Sequence, residues 1–301
     1  MHILLTGGTG LIGRALCQLW LRQGHQLTVW SRRPERVAAL CGDGVRGIAR
    51  LEELADAPLD AVINLAGAPI ADRPWTNKRK ALLWDSRVAL TERLLAWLEA
   101  RPQRPRVLIS GSAVGWYGDA GERELHESDA PVVEDFAAQL CGAWEETAQR
   151  AEALGMRVVV LRTGLVLASD GGFLKRLLLP FRLGLGGPIG NGRQWMPWIH
   201  LQDEIGLIDF LLQRDDARGP YNACAPQPAR NRDFARALGR ALHRPALLPV
   251  PGPLLRLGLG ELSGLLLGGQ KALPQRALAD GYVFRFTDLD SALADLLKDS
   301  A

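Results

Sequence analysis

The chain has 301 residues, 47% of them apolar, enough for a packed core in one large domain or two closely joined ones. Its 36 basic and 33 acidic residues leave a net charge of +3 with the arginines dispersed, which argues against a nucleic-acid partner. The four cysteines (Cys17, Cys41, Cys141, Cys224) show no C-x-x-C pair and no metal-ligand spacing, so no metal and no disulfide framework are expected, and dispersed thiols suit the reducing cytoplasm.

The first apolar run, HILLTG (2–7), predicts a strand, then a helix over about 11–24 and a strand QLTVWS (26–31). Glycines break the N-terminal run after five residues, so no signal peptide is expected. LDAVINLAG (59–67) and PRVLISGS (105–112) read as buried strands, separated by a long leucine-rich helix over about 76–100. A helix containing DFAAQLCGAWEE (135–146) precedes the strand MRVVVLRTG (156–164). Alternation of helices with continuously apolar strands predicts an α/β, Rossmann-type, doubly wound parallel sheet covered on both faces. Beyond residue 165 glycine and proline become denser, and helices at 202–214, 231–243 and 289–298 are set between long loops. The expected division is therefore a cofactor domain over 1–165, with room for a later strand to return to the sheet, and a smaller mixed substrate-binding part over 166–301. The apolar stretch LLRLGLGELSGLLLGG (254–269) contains Arg256, Glu261 and several glycines. It falls short of the ~20 apolar residues that a bilayer span needs, so it reads as a buried helix pair and no membrane partner is expected.

LLTGGTGLIG (4–13) sets Gly7, Gly10 and Gly13 after the first strand and at the start of a helix. The glycines provide a tight turn, close backbone approach to phosphate, and close packing of helix on strand. The helix N-terminus then offers free N–H groups to an anion. This context assigns a dinucleotide to Gly7, Thr9, Gly10, Leu11, Ile12 and Gly13. At the end of the second strand an acid would select NAD, and an arginine NADP. The sequence there is VWSRRPER (29–36), so Ser31, Arg32 and Arg33 predict NADP (NADPH). An exposed basic turn is the bland alternative.

With these pieces, and with NLAG (64–67), SGSAVGWYG (110–118) and WIHLQDE (198–204), the chain resembles the extended short-chain dehydrogenase/reductase superfamily. It is most similar to an atypical subgroup of NAD(P)-dependent epimerase/dehydratase-like proteins with a characteristic C-terminal segment of unknown function. That likeness rests on DSR (85–87), SAVGWYG, DFAAQLCGAWE, GGPIGNGRQWMPWIH (186–200) and RPALLPVP (244–251). It covers essentially the whole chain and implies a cofactor site that also draws on Leu65, Ala66, Gly67, Arg87 and Arg162. It also implies a homodimer through the helices about 76–100 and 133–155.

The chain departs from that superfamily where its chemistry normally resides. Placing the helix acid on Glu145 puts Cys141 at the usual lysine position and Ala137 at the usual tyrosine position, and no Tyr-x-x-x-Lys occurs elsewhere. Ser112 ends the strand that delivers the catalytic serine, and is read as a substrate contact or a capping serine. Tyr117 is read as a substitute proton donor or an aromatic wall. Arg87 stands where an asparagine is frequent, and is read as reaching cofactor or substrate, or as pairing on the helix surface with Glu92 or Glu99. Met196 replaces the arginine that binds a nucleotide diphosphate in nucleotide-sugar enzymes, with Arg193 three residues before it. Trp116, Cys141, Arg193, Trp195 and Met196 are assigned to the substrate pocket, which is more apolar than a diphosphate site. Two functions follow: an NADP(H)-dependent oxidoreductase or epimerase-like enzyme acting on a small-molecule carbonyl or alcohol, or a catalytically silent NADP-binding redox sensor.

Overall fold

A computed structural model describes residues 1–298; residues 299–301, the end of the expected second part, lie outside it. Seven strands form one sheet: β1 (His2–Thr6), β2 (Gln26–Trp30), β3 (Val45–Ile48), β4 (Ala61–Asn64), β5 (Val107–Ala113), β6 (Arg157–Thr163) and β7 (Gly219–Ala223). All neighbours are parallel, and the order across the sheet is β3-β2-β1-β4-β5-β6-β7. The order reverses between β1 and β4, and a crevice at the carboxyl ends of such strands is where open α/β sheets bind ligands.

The helices that shape the site are α1 (Leu11–Arg22), α2 (Val37–Cys41), α3 (Asn77–Trp84), α4 (Leu90–Glu99), α5 (Phe136–Gln149), α6 (Gly172–Arg182), α7 (Leu201–Gln213), α8 (Asn231–Ala241) and α9 (Gly252–Leu259). On one face of the sheet, Leu16 and Trp20 of α1 and Leu207 and Leu211 of α7 bury against Ile3 and Leu5. On the other, Leu94 and Leu98 of α4 and Ala148 of α5 bury against Leu4, Val62 and Leu108. Both faces are thus dry, which is why the strands read as unbroken apolar runs. A third cluster, with Leu174, Phe181, Trp198, Phe234 and Leu293, forms the C-terminal core.

A later strand returns to the sheet: β7 pairs with β6, and α7, before it, covers one face. Two expectations change. The helix over 76–100 is interrupted: Asp85–Ala89 forms a π-turn between α3 and α4, with Arg87 at its centre. Such wide turns displace one side chain from the helical ladder and concentrate at functional sites. The stretch 254–269 is not a buried helix pair. Helix α9 buries none of its residues, and only Leu262 and Ser263 of the next turn are buried. Among the described residues no helix is long and apolar enough to cross a membrane.

Candidate active site

The glycine turn is built as its spacing requires. Gly7 has φ of +72°, and a Cβ there would lie 2.6 Å from the Leu65 carbonyl. A Cβ on Gly13 would stand 2.4 Å from Gly7 O, so only glycine lets α1 approach β1 this closely. Gly10 is the N-cap of α1 and has no side chain to cap it. The first N–H groups of the helix are therefore left for an external acceptor, and the cradle fits a dinucleotide diphosphate. A buried network holds the facing loop. Thr6 Oγ1 donates to Asn64 Oδ1 (2.7 Å) and accepts from the Ala66 N–H (3.0 Å). Asn64 in turn donates to Thr91 (2.8 Å) and Ser110 (3.1 Å).

Two cavities flank this turn. The first, about 550 Å³, is lined by Thr9, Ser31, Arg32, Arg33, Arg36 and Leu40. The three arginines are exposed and have no carboxylate partner among the described residues. Ser31 Oγ accepts the Arg33 N–H at 3.1 Å, which fixes the bend after β2. Three free guanidiniums beside a helix N-terminus suit a phosphate monoester on a ribose. Arg36 was legible from its position four residues after Arg32, and the motif reading passed over it.

The second cavity, about 490 Å³, begins on the other side of the turn at Ile12 and Leu65. Ser112, Cys141 and Arg87 border it, and Leu140, Trp144, Trp195 and Met196 make much of its wall apolar. Arg87 forms no ion pair with Glu92 or Glu99. Its guanidinium donates to the Ala68 carbonyl (3.1 Å) and stacks 5.4 Å from the Trp144 ring. A Cβ on Gly67 would stand 2.9 Å from Arg87 Cζ. Burial lowers the guanidinium below its ordinary affinity for protons, yet it stays charged near neutrality. The π-turn therefore delivers an uncompensated cation beside Cys141, the position where the resemblance expects a lysine. Burial, then the Glu145 charge, pushes the Cys141 thiol up to about 12.

Behind Ser112 lies an assembly that the sequence did not disclose. Ser112 Oγ donates to Glu145 Oε1 at 2.6 Å. Arg162 grips the same carboxylate with Nε at 2.9 Å and Nη2 at 2.9 Å. Both partners of the pair are buried. Arg162 is thus committed to Glu145 and stacked 3.4 Å over the Trp116 ring; it does not line the second cavity, as its assignment to the cofactor requires. In the sequence Glu145 is marked only by its place on the helix, four residues after Cys141.

Three further assignments move. Tyr117 is fully buried, packed against Leu125 and Ala272. Its hydroxyl lies 2.8 Å from Asn222 Oδ1 and accepts from Arg162 Nη1 at 3.1 Å, and burial raises it to about 12. It is neither proton donor nor aromatic wall, because the turn 114–117 folds it under the sheet edge. Trp116 lies against Arg162 and not in the cavity, and Arg193 is exposed outside it. Another acid, Glu204, lies behind the cavity wall. It is fully buried, accepts from the wall residue Thr163 at 3.0 Å, and has no partner for Oε2. Desolvation raises its carboxyl to about 8.

The sheet order, the glycine cradle and the arginine pocket define a dinucleotide-binding protein of the doubly wound α/β class. The sequence profile of the NAD dependent epimerase/dehydratase family matches residues 3–224, and the chain belongs to that family. A domain of unknown function, DUF1731, matches residues 250–296. The chain is 37% identical to the epimerase family protein YfhF of Bacillus subtilis over 99% of each chain. It is 39% identical to the epimerase family protein SDR39U1 of Mus musculus, over 99% of this chain and 100% of that one. The crystal structure of human SDR39U1 isoform 2 with NADPH superimposes with a TM-score of 0.90 at 37% identity, covering 99% of this chain and 100% of that chain.

Proposed function

We propose that this protein is an NADPH-dependent oxidoreductase that reduces the carbonyl of a small, largely apolar substrate. One observation carries the reading: the glycine turn borders a three-arginine pocket on one side and, on the other, an apolar cavity bordered by the Arg87 guanidinium. The human relative's NADPH supports the choice of cofactor. NADPH supplies hydride when bound. The chain's own part is to seat the 2′-phosphate on Arg32, Arg33 and Arg36, and to hold the substrate carbonyl over the cavity floor. Arg87 faces the developing charge on the substrate oxygen, taking the place of the missing lysine as the permanent cation. Ser112 spends its proton on Glu145, so its lone pairs accept from the hydroxyl of the alcohol product as it forms. With Tyr117 sealed away and Cys141 held protonated, the proton comes from water in the cavity. Met196 and the absence of Arg193 from the cavity speak against a nucleotide-sugar substrate. The four free, buried cysteines suit a cytoplasmic site of action.

A catalytically silent NADPH sensor is the second reading, favoured by the fact that both hydroxyls nearest the expected chemistry, Ser112 and Tyr117, donate inward to the protein. Purified protein incubated with NADPH and a panel of small aldehydes, ketones and quinones separates the two. Reduction of at least one class, lost in Ser112→Ala, supports the enzyme. Tight NADPH binding with no turnover across the panel favours the sensor.

A further inference from the structure

Helix α9 contains four leucines and buries none of them. Leu254 and Leu257, three residues apart on one helix face, are 61% and 87% exposed. Leu247, just before the helix, is 79% exposed, and Leu248 is exposed beside it. A second segment runs alongside and exposes Leu179, Leu183 and Leu185. Backbone bonds join the two: Leu248 N–H to Gly186 O (3.1 Å), and Val250 N–H to Pro188 O (2.9 Å). Arg244 Nε adds a bond to the Arg182 carbonyl at 3.0 Å. The leucines thus share one connected stretch of surface, and exposed apolar patches of this kind mark interaction sites.

The same segments are basic and contain no acid. Neither 171–202 nor 234–260 contains Asp or Glu, although 33 of the 301 residues are acidic, so the gap is not compositional. Arg182, Arg244 and Arg256 have no carboxylate partner among the described residues. The next acid, Glu261, is paired with Lys80. The first segment also walls the apolar cavity, through Phe173 and Arg176, and the short helix Gly264–Leu267 that follows α9 closes it with Leu265 and Leu266.

We propose that this face docks the protein on the surface of an anionic lipid bilayer. The leucines enter the headgroup–acyl boundary and the arginines meet lipid phosphates. The expectation of no membrane partner rested on the missing span, and a surface dock needs none. Charge complementarity selects lipid over a second copy: an isologous contact would set these two basic segments, neither with an acid of its own, against themselves. Docking brings the cavity mouth to the bilayer, where apolar substrates concentrate.

The test is sedimentation with phosphatidylcholine vesicles, with and without phosphatidylglycerol, using wild type and the Leu254→Asp/Leu257→Asp double variant. Because α9 buries nothing, the variant keeps the wild-type circular dichroism, melting temperature and NADPH affinity. Wild type is expected to pellet with the phosphatidylglycerol vesicles, less so at high salt, and the variant's lipid partition coefficient to fall at least tenfold. Three results overturn the proposal: no binding to anionic vesicles, binding indifferent to phosphatidylglycerol, or undiminished binding by the variant. A wild-type dimer that the variant splits, with no lipid binding by either, assigns the face to a second copy instead.

Discussion

Ser112 Oγ lies 2.6 Å from Glu145 Oε1, and the Arg162 guanidinium closes on both oxygens of that carboxylate. The cavity's serine is thus oriented by a buried ion pair spanning α5 and β6. Removing one partner strands the other, at a cost of about 3–5 kcal/mol. Glu145→Gln should lower unfolding stability by that order in urea titration. A loss under about 1 kcal/mol would mean that the carboxylate is not the counter-ion of Arg162 in solution.

NADPH selectivity should rest on the first cavity. Arg32→Ala/Arg33→Ala removes two charge-assisted phosphate contacts, each contributing about 1.5 kcal/mol or more. The NADPH Kd should rise more than about tenfold while the NADH Kd changes little. Fluorescence titration measures both, and equal losses for the two cofactors contradict the assignment.

The structure exposes the limits of reading by local pattern. The glycine turn and Arg32–Arg33 were legible because their function depends on neighbours in sequence. Glu145, Arg162 and Ser112 meet across separations of 17 and 33 residues, and nothing in their surroundings marks them as partners. Tyr117 misled because its loop was correctly placed above the sheet, whereas a single turn decides which way the ring faces. The stretch 254–269 misled through hydropathy: leucines predict burial, and here they predict a surface that another body covers. The π-turn at 85–89 has no periodic signature, since it adds one residue to an otherwise regular helix.

Glu204 gives the protein a pH dependence of known sign. Its carboxyl titrates near 8 when folded, against an ordinary value of 4.5. Between those values the folded state holds the extra proton, so stability is full below about pH 4.5 and falls as pH rises through 8. Glu204→Gln should remove that fall. Relative to wild type it gains stability between pH 6 and 8.5, by an amount on the order of 1–3 kcal/mol. Parallel stability curves for the two proteins sink the claim.

Cys141 borders the cavity without taking part in the chemistry. A thiol held near 12 is not a thiolate at pH 8, so iodoacetamide should label it far more slowly than a free cysteine, as mass spectrometry reads. Cys141→Ala should keep both NADPH binding and turnover. Binding retained with all turnover lost would make the thiol essential.

The most direct test of the account is turnover by Arg87→Met beside its NADPH affinity. A cation that acts on the substrate oxygen contributes about 10²–10³ to kcat. The account predicts such a loss in NADPH consumption on a responsive carbonyl substrate, an NADPH Kd within about threefold of wild type, and partial recovery in Arg87→Lys. Unchanged kcat in Arg87→Met, or a loss explained wholly by weaker NADPH binding, contradicts it.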